Sequence, residues 1–200
     1  MIELYQNQEI LLEKQIKKLQ QIPKNLHTQR KSTQQALSHS VGQYFFATQN
    51  TRRLLCTEII RDIRDCVMTK KIGELVHSAE PAGQITVLGM ICSSQDAMKV
   101  EQCPFRFYVD SSDVATKQSM TMPGGKYLCT YHHGGYETLS ETYRNLHTYA
   151  TGHGLLLSQE IYAETIIGDW AVKSQEDYVI KVFSMLEETE NRKPSLSSEI

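Results

Sequence analysis

Residues 126–154, KYLCTYHHGGYETLSETYRNLHTYATGHG, hold five tyrosines and four histidines around a Gly-Gly pair. The stretch opens as a strand, KYLCTYHH (126–133), and Gly134-Gly135 supplies the turn that ends it. Leu139, Tyr143, Leu146 and Ala150 then recur at spacings of four, three and four, which puts them on one face of a helix. Two runs rich in Ile, Val and Tyr follow, LLLSQEIYAETII (155–167) and DYVIKVFSML (177–186), and both read as strands. The unit is therefore βαββ.

The same order is legible upstream. YFFAT (44–48) is a short strand, and Ile59, Ile63, Cys66 and Val67 fall at helical spacing. QITVLGMICS (84–93) and PFRFYVDSS (104–112) complete a second set of strands. Two βαββ halves of similar length predict an α+β domain over 44–186, with both helices on one sheet face. The other face is left to form a concave, aromatic-lined surface.

The N-terminal segment has another texture. Ile2, Tyr5, Leu12, Ile16, Leu19 and Leu26 follow a three-four spacing among Glu, Lys and Gln, the narrow stripe of a coiled-coil strand. Glu9 and Pro23 interrupt the seam, and Pro23 is expected to end or kink the helix. An isolated helix of this length is marginal in water, so residues 1–27 are expected to pair as a homodimer. Residues 28–43, TQRKSTQQALSHSVGQ, read as a polar linker, and 187–200 as a solvated tail.

Composition narrows the function classes. The net charge is −2 with a sequence pI near 6.4, which gives no basic surface for nucleic acid over the whole chain. Five cysteines without CxxC spacing argue against a disulfide framework or a zinc knuckle and for a reducing compartment. No signal-peptide pattern and no membrane-length apolar run occur, so a cytoplasmic protein without a membrane partner is expected. Adjacent His132 and His133 point to opposite strand faces and cannot share one ion, so neither a metal nor another cofactor is expected. No nucleophile elbow or phosphate loop is present, and no catalytic residue is assigned.

MPGGKYLCTYHHGGYETLSETYRNLHTYATGHGLLLSQEIYAE (122–164) resembles the second half of a GyrI-like effector-binding domain. The resemblance rests on Tyr131-x-x-Gly-x-Tyr136, on Glu137, on the Gly154-Leu155 step, on Glu160-x-Tyr162 and on the final EDYVIKV strand. Upstream, LLEKQIKKLQQI is similar to the dimerisation helix of MerR-family transcription regulators of the BmrR type. The resemblance implies a small-molecule effector, lipophilic or cationic, and contact with DNA only through a winged-helix domain not present in this chain. It also implies a pocket in which a carboxylate faces tyrosines, with Glu160 at the carboxylate position and Tyr178 at a pocket-tyrosine position.

A carboxylate in an apolar pocket is stabilised by an arriving cation, and aromatic faces add cation–π attraction of about 0.5–2 kcal/mol each. Strand alternation puts Glu160, Tyr162 and Glu164 on one side. Tyr131, Tyr136 and Phe105 are further candidates for the lining, with Tyr44 and Tyr108 as other contributors. Two alternatives stand beside the sensor. One is a hydrolase of electrophilic small molecules with Glu160 as general base. The other is a stand-alone ligand-binding protein.

Overall fold

The computed structural model describes residues 2–40, 42–61, 64–79, 87–97, 103–110, 118–169 and 171–187. Residues 188–200, nearly all of the expected tail, Ile63 and the start of the 84–93 run lie outside them. The elements run α1 (Ile2–Ser38), β1 (Tyr44–Gln49), β2 (Arg52–Cys56), α2 (Asp65–Ala79), β3 (Leu88–Ser93), α3 (Ser94–Ala97), β4 (Phe105–Asp110) and β5 (Ser119–Met122). After these come β6 (Gly125–His133), α4 (Leu139–Gly152), β7 (Leu157–Ile167) and β8 (Val179–Leu186).

Eight strands form one sheet in the order β1-β6-β8-β7-β3-β4-β2-β5. The order is palindromic about the β7–β3 pair. One half is β6-α4-β7-β8 and the other β2-α2-β3-β4, each with its first strand outermost, its third in the middle and its second at the centre of the sheet. The two βαββ halves are thus present, with one correction. YFFAT is not the first strand of its own half; it pairs antiparallel with β6 of the other half. The first strand is RRLLC, and β5 crosses to pair with β2 in the matching way. Both were missed because strands of five and four residues carry too little alternation to stand out.

The second helix behaves as its spacing requires: Leu139, Tyr143, Leu146 and Ala150 are its buried residues. The first helix begins later than its apolar spacing suggested. Ile60 is drawn into a bridge with Phe105 through two backbone hydrogen bonds of 2.7 and 3.0 Å, and Ile59 is exposed. The stripe that packs is Met68, Ile72, Leu75 and Ala79, again at spacings of four, three and four. Both helices cover the sheet face formed by residues such as Leu55, Phe107, Leu128, Ile161 and Val182.

The N-terminal helix corrects the linker. α1 continues through Pro23 to Ser38, so residues 28–38 are helical. Gln, Arg, Lys, Ala and Leu dominate that stretch, all helix-compatible and without a glycine to stop it. The stop comes beyond Ser38, where the His39 ring nitrogen meets the Gln35 carbonyl at 2.7 Å and Gly42 turns with φ +76°. Tyr5, Leu12, Ile16 and Leu26 of the stripe are exposed, and the side chains of Ile2 and Leu19 lie outside the described ones. At its other end α1 docks: Ala36 is fully buried with Tyr131 and Val179, beside Phe45, Ile166 and Ile167.

Candidate functional site

The face away from α2 and α4 is built from cross-strand rows. In one row the register partners are Cys56, Tyr108, Gly89, Glu164, Lys181 and Tyr131, running from β2 through β4, β3, β7 and β8 to β6. The next row holds Arg106, Ile91, Tyr162, Phe183, Cys129 and Phe45. Tyr127, Met185 and Ala47 line up beyond it. Side chains two apart on a strand share a face, so rows of this kind juxtapose residues far apart in sequence.

Gly89 sits at the middle of the first row, and its missing side chain is used. The Tyr108 ring lies across the strand there, with Cζ 2.3 Å from where a Cβ on residue 89 would stand. The phenol thereby reaches over β3 and donates to Glu164 Oε1 at 2.9 Å. Burial, and secondarily the Glu164 charge, hold the Tyr108 phenol far above its ordinary value, so it remains a donor.

Arg52 closes on the same oxygen. Its Nη2 donates to Glu164 Oε1 at 2.5 Å, and Nη1 stands 3.7 Å from Asp110. β4 and β3 lie between β2 and β7. In a flat sheet those outer strands would be about 14 Å apart. The pair forms because the sheet curls strongly here, which makes the face concave. Burial alone would lower the Arg52 guanidinium, but Glu164, Tyr108 and Asp110 together raise it.

Four rings fill the middle. Tyr162 stacks on Phe183 at 5.4 Å and 16°, and Tyr127 meets both edge-on at 6.3 and 5.6 Å. Tyr108 meets Tyr162 edge-on at 6.2 Å. Such offset and edge-on contacts each add about 0.5–1.5 kcal/mol beyond area burial. The Lys181 ammonium stands 5.0 Å from the Phe183 ring centroid. Burial pushes the Tyr127 phenol up to about 12, with Arg52 opposing and Glu160 adding to the rise. Burial followed by Glu160 likewise raises Tyr162. Glu160 is half-buried beside these two tyrosines, and its carboxylate has no hydrogen bond or ion pair among the described residues.

The candidates from sequence divide three ways. Glu160 and Tyr162 share the concave face. Tyr131 shares it too but is capped by α1, stacked on Phe45 at 5.4 Å with the His39 ring also 5.4 Å away. Phe105, Tyr136 and Tyr178 belong to the helix-side core: Phe105 packs edge-on against Phe107, and Tyr136 edge-on against Tyr178 with its hydroxyl 2.7 Å from Thr165 Oγ1. Glu164 was placed on the correct side by alternation alone. Tyr127 and Phe183 were legible by the same rule, at two-residue steps from Cys129 and Lys181. Nothing local marks Arg52, whose partner is 112 residues away.

The histidines serve structure: the His39 ring packs on Phe45 and Tyr131, and His132 joins a strand to a helix. His132 is buried; the Gly135 carbonyl accepts from Nε2 at 3.0 Å, which leaves Nδ1 to accept from the Thr142 hydroxyl at 2.7 Å. The ring thus ties the end of β6 to the first turn of α4. Burial lowers its pKa, against the pull of the Gly135 carbonyl. The unfolded chain therefore takes up this proton first as pH falls, and stability drops below the ordinary His value of about 6.5. Urea unfolding at pH 7.5 and 5.5 is expected to show that loss, and to show less of it in His132→Gln. Among the described residues, no three His, Cys, Asp or Glu side chains come together as a metal site, and no helix is long and apolar enough to cross a membrane.

Residues 46–186 match the GyrI-like small molecule binding domain. The fold is similar to that of the EcmrR C-terminal domain, with a TM-score of 0.61 at 16% identity, covering 72% of this chain and 97% of that one. It is also similar to EcmrR in its DNA complex, with a TM-score of 0.59 at 15% identity over 92% of this chain and 72% of that one. A hydrolase from Listeria innocua shares the fold at a TM-score of 0.51 and 8% identity, over 78% of this chain and 98% of its own. A search of the curated proteins finds no match.

Proposed function

The chain belongs to the family of GyrI-like small-molecule-binding domains, and from that premise we propose that it is the effector-sensing part of a MerR-type transcription regulator of the BmrR kind. Its effector is a lipophilic organic cation. One observation carries this reading: Glu160, a half-buried carboxylate without an ionic partner among the described residues, stands beside the Tyr127 and Tyr162 rings. A cation seated there gains both the carboxylate and the ring faces. The rings are already packed against each other, so the guest enters by displacing the partly buried methionines at their margin, Met120 and Met185. Methionine's flexible, polarisable side chain suits that rearrangement.

The dimer forms through α1, along the exposed Tyr5, Leu12, Ile16 and Leu26. DNA is met by a separate head of the regulator, and effector binding is passed on through the docked end of α1. Coupling of this kind needs an effector that binds two states unequally. Of the face's two strand-β7 carboxylates, Glu164 is already engaged by Arg52 and Tyr108, so any hydrolytic chemistry would fall to Glu160.

A thermal-shift screen tests the proposal with lipophilic cations against neutral and anionic analogues. At a hundred times its dissociation constant a ligand stabilises by about 2.7 kcal/mol, a rise of roughly 5–10 °C for a chain of this size. Glu160→Gln is expected to abolish the cation-selective part of the shift. An equal response from wild type and variant would remove Glu160 from the site. Separately, Ile16→Asp is expected to turn a dimer into a monomer in light-scattering measurements.

A further inference from the structure

A concave face that reads cations would be expected to keep its buried carboxylate unpaired, yet Glu164 is matched from within the chain. Arg52 donates to it at 2.5 Å, and Tyr108 donates to the same oxygen at 2.9 Å. Arg52 is itself imperfectly held: its Nε is buried without a hydrogen-bond partner among the described residues, and Nη2 has only the Met122 sulfur, at 3.2 Å, besides Glu164. Four residues along β7, Glu160 has no such partner.

We propose that Arg52 is the selectivity residue of this site: as the resident cation on Glu164 it leaves one carboxylate, Glu160, to read charge, and so restricts the site to ligands with a single positive charge. The inference rests on the cation-sensing reading above. A monocation places its charge at Glu160 and its apolar body over Tyr162 and Phe183. A dication long enough to span the two carboxylates, about 13 Å apart along the strand, brings its second charge against the Arg52 guanidinium. Lys181, the register partner of Glu164, adds to that repulsion. Asp110, which faces Arg52 at 3.7 Å, keeps the guanidinium in place on the side away from β7.

The test compares decyltrimethylammonium with decamethonium, which carry the same ten-carbon chain and differ by a second quaternary ammonium group. Calorimetric titration of wild type is expected to favour the monocation. Arg52→Gln is expected to move the ratio of affinities toward the dication by about tenfold or more, the change that accompanies one gained ion pair. Decamethonium is also expected to raise the melting temperature of Arg52→Gln more than that of wild type. The double variant Arg52→Gln/Glu164→Gln, which leaves no carboxylate at position 164 to receive a second charge, is expected to return the ratio to the wild-type side.

An Arg52→Gln protein that binds the monocation as wild type does, with the ratio unmoved, would falsify the role of Arg52 and leave the cation reading intact. A wild type that ignores both ligands beside an Arg52→Gln that binds either one would overturn the inference, since the site is proposed to take the monocation with Arg52 in place. If neither protein binds either compound, the cation reading fails and the inference fails with it.

Discussion

Arg52→Met lowers the stability of the domain by about 3–5 kcal/mol, the range seen when one partner of a buried ion pair is removed. At roughly 2–4 °C per kcal/mol for a chain of this size, the melting temperature falls by about 6–20 °C. The effect is large because of what stays behind. The Glu164 side chain is 9% exposed, and after the substitution it keeps only the Tyr108 hydroxyl as a donor among the described residues. Arg52→Met/Glu164→Gln separates this from loss of packing. An amide can accept from Tyr108 without carrying a charge, so the double variant is expected to recover most of the loss. A double variant no more stable than Arg52→Met would mean that the loss comes from the guanidinium's other contacts, such as that with Asp110, and not from an unmatched Glu164.

Gly89→Ala has the second large effect, for a steric reason. A Cβ at this position would stand 2.3 Å from Tyr108 Cζ and 2.6 Å from its hydroxyl oxygen. The ring must move, and the hydroxyl moves with it, away from Glu164. Overpacking costs about 1–3 kcal/mol. The broken hydrogen bond to a charged group adds about 1.5–3 kcal/mol. Denaturant unfolding is expected to register a combined loss of about 3–5 kcal/mol. Gly89→Ala/Tyr108→Leu is expected to be closer to wild type than the sum of its two single variants, because the shorter side chain vacates the contested space. Strict additivity would show that the two residues do not meet. The position tolerates no side chain although its backbone is ordinary, since its role is to let a neighbour pass rather than to make a turn.

Arg52 and Gly89 both act through partners that lie far away in the sequence. Periodicity found both helices' approximate places, and it found the buried stripe of α4 residue by residue, because a helix displays its contacts at fixed local spacing. It found the long strands for the same reason. The short strands β2 and β5 have no such pattern, and they pair with each other across the two halves of the sequence. The heptad spacing found the start of α1 but not its end, since Pro23 reads as a breaker while residues 24–38 carry the helix onward. At the site, alternation grouped Glu160, Tyr162 and Glu164. It could not say which of the two glutamates is matched by a cation, because the matching arginine arrives across two intervening strands. Phe105, Tyr136 and Tyr178 are suggested by residue type, and all three pack into the core that the helices cover.

The row that holds Glu164 ends at Tyr131, and Tyr131 lies beneath Ala36 near the end of α1. α1 has 37 residues and is about 55 Å long. A rod of that length held at one end magnifies angles: a tilt of about 5° at Ala36 swings the opposite tip by roughly 5 Å. A displacement of a few tenths of an ångström in the aromatic layer is too small to matter locally. A tilt of about 5° at the docked end, by contrast, carries the far tip of α1 through nearly a full helical turn.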